Sequence, residues 1–518
     1  MRLRLFILAG VLALLSPGAA RADVSPHALL ERAMAAMGGR ERLESIHTID
    51  YVALGYRDMV EQSVRPTGPY FLDYQTIRVR RDYGADRTVI DETHAAYGGD
   101  KWWLQQTAPT TYHVLVNGDV SAISIDGGKI GYGGASYASS EEDRSSFSPE
   151  RLLLRAASAS DLRTLPDEMM NGSAAHVLGY SLGGTVCRLY LSARTGLPIA
   201  VDYVRAYPYN TFLNPWGDVD TRVTYEAWNL EPGGVVYPRQ WTRTRMGLPD
   251  NVFSITQLHF NAPLLAQDAA IPQDIYDAHH GKAVAVDDIP LGSRGSGPPY
   301  ELAPGVLQTP GAWNVEFVRQ DDGIVVIEAP WSGRYTQSAL DAAVKRYGLP
   351  IKAVVTTSDS WPHIAGVRQA AADGIPIYAL DLNEPILTRL LAAPHVLHPD
   401  DLARKPRAPR FHLVRTPVTI GSGANQIVVI PYRTATAERQ MMVWFPQRRL
   451  LYTSDLFAPD GEGGWFTPEY LHEFLQAVAR ENLHPVTIFG MHYTATPFTD
   501  VVTALDKYSN SSGVPVRP

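Results

Sequence analysis

At residues 292–299 (GSRGSGPP) the hydrophobic period of the chain changes, and that change divides it into two differently patterned halves. Before this stretch the pattern after residue 46 is one of alternation. Ile77 and Val79 alternate with Arg78 and Arg80, and Cys187, Leu189 and Leu191 alternate with Arg188 and Tyr190. A period of two is the mark of a strand with one buried face. Turn signals at Gly183-Gly184, Thr195-Gly196 and Pro232-Gly233-Gly234 separate further strand-like runs at 221–228, 236–245 and 253–260. Residues 26–46 read as a leading helix. Ser25 is its N-cap, Ala28, Leu29, Ala33, Met34 and Met37 form an apolar stripe, and Gly38-Gly39 is a stop. Residues 140–180 read as helical and loop-like. Beyond the linker, strands expected at 323–328, 351–357 and 375–380 alternate with helices at 338–347 and 364–373, an α/β texture.

Composition excludes several classes. With 46 basic and 54 acidic residues the net charge is −8, and no basic face is evident for phosphate binding, so no nucleic-acid partner is expected. One cysteine, Cys187, excludes an internal disulfide and any multi-cysteine metal site. Mid-strand on an apolar face, it reads as an inert thiol. Arg2 and Arg4, the apolar run 5–15 and Ala20-Arg21-Ala22 make a signal peptide over 1–22, cleaved near Ala22. The expected location is the periplasm or outside the cell. No later stretch is long and apolar enough for a membrane span.

The second half carries five ordered landmarks. Residues 313–331 (WNVEFVRQDDGIVVIEAPW) form a hairpin ending at Glu328-Ala329-Pro330, and 351–366 (IKAVVTTSDSWPHIAG) form a strand and loop. Residues 374–379 (GIPIYA), 441–457 (MMVWFPQRRLLYTSDLF) and 486–493 (VTIFGMHY) follow. In this order the segments resemble the metallo-β-lactamase-fold superfamily over about 305–510. The resemblance implies an αββα sandwich and a metal-dependent hydrolase, but its metal motif is degenerate here. Ser358 and Ser360 stand where the first two histidines belong, Pro362 where the aspartate belongs, and Thr436 near a third lost histidine. His363, Asp455 and His492 match the retained ligands. Two histidines and one carboxylate suit a single zinc or iron ion with open positions, and Asp359 on the same loop is a further candidate ligand. These side chains are expected to converge at one edge of the sandwich. Around Ser358, Ser360 and Thr436 a polar, water-containing cavity is expected, with Asp359 or Glu438 near its mouth. Trp361, in the middle of the motif loop, is either the wall of a substrate pocket or a plug.

The first half resembles a periplasmic half-barrel of the lipoprotein-carrier type over about 27–265, on its helix, its Gly-Gly stop and the run Gly233-Gly234-Val235-Val236-Tyr237-Pro238. That resemblance implies an apolar ligand in the concavity. Aromatic residues are dense here, among them Trp102-Trp103, Tyr203, Tyr225 and Trp241. The loop 205–220 (RAYPYNTFLNPWGDVD) is expected either to pack over the sheet and against the second half or to form a binding surface. The expectation is an α+β two-domain chain: a signal peptide at 1–22, a helix plus antiparallel sheet at 23–280, a linker at 281–303 and a metallo-β-lactamase-like sandwich at 304–518. Two functions stay open. One is an exported hydrolase with a reduced metal site holding at most one ion. The other is a non-catalytic binding or envelope-associated protein in which the site is vestigial and no metal binds.

Overall fold

The computed structural model describes residues 25–61, 65–96, 109–293, 297–435, 437–456, 465 and 468–510. The expected signal peptide, Trp102-Trp103 and Thr436 lie outside them. Among the described residues no helix is long and apolar enough to cross a membrane.

The leading segment is two helices, not one over 26–46. Ser25 Oγ accepts from the Ala28 amide at 3.2 Å and starts Pro26–Ala36, and Arg40–Glu44 follows the Gly38-Gly39 break. Gly38 has φ +111°, and a Cβ there would lie 2.3 Å from the Gly234 carbonyl oxygen, so the chain turns where only glycine fits. The buried stripe is Leu29, Leu30, Ala33, Met34 and Met37. Ala28, expected on this face, is exposed, because at 100° per residue it points almost opposite to the centre of the other five.

Thirteen strands among the described residues form one antiparallel sheet from Thr48 to Phe260. The first strand, Thr48–Asp58, pairs with the second, Leu72–Asp82, and also with the last, Leu248–Phe260. Two meanders are thereby joined at the middle of the sheet. Alternation gives the burial: Ile77 and Val79 are buried and Arg78 is exposed. Cys187, Leu189 and Leu191 face the main core with Leu29, Met34, Leu152 and Leu153 of the helices. Tyr190, on the other face, is also buried, in a small cluster with Ala175, Val177 and Ala200. The expectation for 140–180 holds only in its first part. Ala135–Ser146 and Pro149–Ala157 are helices, but Arg163–Met170 and Ser173–Leu182 are paired strands. Arg163–Met170 ends the sheet and is largely exposed, so it lacks an apolar alternation, and its Pro166 is tolerated at an edge.

The second half holds two further sheets. In the seven-stranded one, Gly323–Ile327 pairs in parallel with Ile351–Val355, which pairs in parallel with Pro376–Leu380. In the six-stranded one, Leu450–Tyr452 pairs in parallel with Thr487–Gly490. The sheets share a core in which Val318, Val325 and Val355 of one meet Val429, Val443 and Phe445 of the other. Gly333–Tyr347 and Val367–Asp373 bury Leu340, Val367 and Ala370 with Val326 and Val354 of the seven-stranded sheet. Pro468–Arg480 buries Leu471 and Phe474 with Ile430 and Ile488 of the six-stranded one.

One core crosses between the halves. Tyr207, Leu213 and Trp216 of the aromatic loop pack with Trp331, Trp361 and Ile386. Val286 and Ile289, within the stretch read as a linker, are buried in the same core, and Tyr300–Ala303 is already a strand of the seven-stranded sheet. Asp218 fastens this contact: its carboxylate accepts from the Val396 and Leu397 amides at 2.7 and 3.0 Å, and its amide donates to the Pro394 carbonyl at 2.8 Å. The preceding Gly217 has φ +64°, and a Cβ there would lie 2.4 Å from the Pro394 oxygen. Gly217→Ala is therefore expected to destabilise the protein by about 1–3 kcal/mol, from left-handed backbone strain and overpacking together. The shift of the chemical-denaturation midpoint measures it.

Candidate metal centre

Parallel pairing decides where the site lies. Gly323–Ile327 and Ile351–Val355 run the same way, as do Leu450–Tyr452 and Thr487–Gly490, and such strands deliver the loops that follow them to one edge. Those loops carry Glu328, residues 356–363, Asp455 and His492. A hydrogen bond of 2.7 Å between the Thr357 and Ser454 hydroxyls ties the two sheets together at this edge.

His363, Asp455 and His492 come together, with one ligand atom of each lying within 4.8 Å of the others. His363 Nδ1 is 3.5 Å from one Asp455 oxygen, and His492 Nε2 is 2.6 Å from the other. The second contact is a short hydrogen bond. His363 and Asp455 are buried, and His492 keeps 17% of its side chain accessible, so it stands on the open side. Two imidazoles and a carboxylate are hard-to-borderline donors that match zinc or iron, and a fourth position stays open. The residues present therefore fit a single divalent ion. Trp313 packs edge-on against the His363 ring with centroids 5.5 Å apart and fixes one side of it.

The positions expected to be degenerate hold protein structure. The Ser358 hydroxyl lies 3.4 Å from His363 Nδ1 and accepts from the Ser360 amide at 3.2 Å. Ser358, Ser360 and Pro362 are buried, and the Ser360 hydroxyl finds no hydrogen-bond partner among the described residues. Asp359 is buried on the same loop but is not in the group of three. Glu438 is held in an ion pair with Arg65 of the first half at 2.7 Å. Trp361 is buried, its indole edge-on to Trp216 with centroids 4.8 Å apart. Its backbone N–H donates to the Glu61 carbonyl at 3.3 Å. Other histidines stand apart from this group: His472 bonds to Gln476 on its own helix, His484 is exposed, and His395 lies 3.8 Å from Asp400. Cys187 is remote in the first core, and burial pushes its thiol up to about 12, which keeps it protonated and inert.

Glu328 was not singled out as a site residue by its sequence, although it ends the first landmark hairpin. It is fully buried, at φ +75°. Its carboxyl meets the Thr357 hydroxyl, the Thr357 amide at 3.4 Å and the Tyr452 hydroxyl at 3.2 Å. Burial pushes its pKa up to about 8, against the opposing pull of these bonds. The Thr357 hydroxyl has one proton and faces both Glu328 and Ser454. A protonated Glu328 donates to Thr357, leaving Thr357 to donate to Ser454, so each oxygen is satisfied.

No protein family model matches the sequence. Among solved structures, the chain is similar to a metallo-β-lactamase from Pontibacter korlensis, at 15% identity and a TM-score of 0.32, over 41% of this chain and 98% of that one. It is similar to a metallo-β-lactamase from Pseudomonas aeruginosa in a mono-zinc form, at 13% identity and a TM-score of 0.33, over 44% and 100%. A stereoselective inverting sec-alkylsulfatase from a Pseudomonas species gives 14% identity and a TM-score of 0.31, over 41% of each chain.

The Glu328 shift has a definite sign. The folded state holds a proton that the unfolded chain releases near the ordinary value of 4.5. The stability contributed is complete below that pH and is lost as pH rises through about 8. Glu328→Gln, which keeps a neutral hydrogen-bonding group in place, is expected to flatten this decline. Denaturation midpoints of both proteins between pH 5 and about 9 check it.

Proposed function

We propose that this protein is an exported hydrolase of the metallo-β-lactamase superfamily with a mononuclear metal site, its second half an αββα sandwich over 304–518. The convergence of His363, Asp455 and His492 carries the reading. The order of the five sequence landmarks and the core shared by the two sheets support the fold. The basic n-region, apolar run and Ala20-Arg21-Ala22 support export, with the boundary between halves in 281–303. The first half, a sheet with helices on one face, is compatible with a half-barrel that carries a ligand.

His363, Asp455 and His492 would hold one zinc or iron ion. Such an ion, when bound, supplies Lewis acidity and brings the pKa of water near neutrality, which suits attack on an ester, thioester, amide or phosphoester. The chain's own residues orient the site. The Trp313 ring packs edge-on against the His363 imidazole and fixes its plane, and the Ser358 hydroxyl lies 3.4 Å from its Nδ1. Asp455 bridges the two histidines and neutralises charge in a buried setting. Trp361 and Trp216 exclude water behind the loop. The fold does not fix the substrate, and β-lactam hydrolysis is not implied.

Metal content tests the reading. The mature protein, loaded with zinc or iron and dialysed, is expected to hold about one ion per chain, lost in His363→Ala and in His492→Ala. Ser358→Ala, which removes the hydroxyl 3.4 Å from His363 Nδ1, is expected to retain the ion. Elemental analysis reads both. A content below ~0.1 per chain after loading would overturn the metal reading and favour a non-catalytic binding protein.

A further inference from the structure

A cavity of about 400 Å³ lies between the thirteen-stranded sheet, helix Ala135–Ser146, loop 209–213 and Trp361. Its volume falls in the range of small-molecule sites. It is separate from the candidate metal centre: apart from Trp361, the residues that line it belong to the first half.

Charge around this cavity is layered. Arg57, His94, Arg144, Arg243 and Arg245 line it, and so do Glu61, Glu92, Glu141 and Asp250. The five basic side chains keep 13–37% of their surface accessible, the four acids only 2–14%. The cations are thus the more accessible members of a lining that carries both signs of charge. Burial opposes the charge of His94, but hydrogen bonds to Asp73 and Glu92 outweigh it and push its pKa up to about 9. Arg57 and Arg243 are each engaged closely by one acid, Glu61 and Asp250. Arg144 and Arg245 are not. Arg144 lies 3.6 Å from Glu141 and 3.9 Å from Glu92, and Arg245 lies 3.8 Å from Asp250, all too long for hydrogen bonds. Arg144 Nη1 and Arg245 Nε make no hydrogen bond among the described residues. Those two atoms are buried, and Arg245 also lies over the Tyr207 ring, 5.3 Å from its centroid, but neither guanidinium makes a side-chain hydrogen bond among the described residues, so their accessible donors are left for an acceptor. Beside them the wall is apolar, formed by Ile77, Ile90, Phe253 and Trp361.

We propose that this cavity binds a small amphipathic organic anion, its acidic group against Arg144 and Arg245 and its apolar body against Ile77, Ile90, Phe253 and Trp361. This differs from the purely apolar ligand that the first half's resemblance implies. It stands on residues of the first half and holds whether or not a metal binds at His363. The ligand touches the loop that carries His363 through Trp361, two residues away.

Calorimetric titration of the full mature protein tests the proposal, with decanoate and decyltrimethylammonium as probes of one chain length and opposite head-group charge. Decanoate is expected to bind once per chain, about tenfold or more tighter than decyltrimethylammonium. Arg144→Gln is expected to weaken decanoate about tenfold. Ser140→Phe, from the helix wall of the cavity, is expected to abolish binding. Decanoate affinity no greater than that of decyltrimethylammonium, or unchanged in Ser140→Phe, overturns the assignment. Should Arg144→Gln fail to fold, the head-group comparison on the unaltered protein decides.

Discussion

Asp455 is a carboxylate in the protein interior with a histidine on either side, and a buried carboxylate has to be neutralised. Most of the second half's architecture at this edge answers that requirement. Parallel strand pairs bring the loops of Glu328, His363, Asp455 and His492 to one place. The histidines place ring nitrogens against both of its oxygens and, in the proposed function, share a cation with it. Glu328 answers the same problem in the opposite way. With burial dominating, its pKa rises to about 8 and it keeps its proton at neutral pH. Two carboxyls close in the fold thus have different partners, histidines at Asp455 and hydroxyls at Glu328.

The first half completes the neighbourhood of this edge. Trp216 covers Trp361, Arg65 pairs with Glu438, and the Glu61 carbonyl receives the Trp361 amide. Each contact falls on or next to the loops that define the candidate centre. The clamp of Gly217-Asp218 on Pro394, Val396 and Leu397 fixes the aromatic loop that brings Trp216 there. Loop 205–220 is therefore packing at Trp216 and cavity wall at 209–213, so both of its sequence readings describe part of it. Trp361 is likewise both, its indole plugged against Trp216 and lining the cavity on the first-half side.

Legibility in the sequence followed the strength of local pattern. A strand with one buried face, such as Leu72–Asp82, was visible because alternation is a direct consequence of the pleat. The edge strand Arg163–Met170 was not, since neither face is buried enough to impose alternation. The break at Gly38-Gly39 was visible as a stop, but the short helix after it was hidden in one longer amphipathic pattern. At the candidate centre, His363, Asp455 and His492 were found by residue type and order. Glu328 and Thr357 carried weaker signals, because their importance comes from burial and from each other, and a one-dimensional pattern records neither. The pairing of Arg144 and Arg245 with acids at distances too long for hydrogen bonds has no sequence signal at all.

The hydroxyls at this edge show how the positions flanking the three converging side chains are used. Apolar residues would have packed as readily, and an unsatisfied buried hydroxyl costs about 1–3 kcal/mol. Ser360 carries that cost, but Ser358 does not, since it reaches His363 and the Ser360 amide. Thr357 and Ser454, flanking the expected ligand positions, link Glu328 to the loop of Asp455. A histidine at 358 would compete for the space and the hydrogen bond that now orient His363. The three converging side chains are thus held by residues at the positions where further histidines were expected, and introducing histidines there one at a time would remove support from the site before it added a ligand.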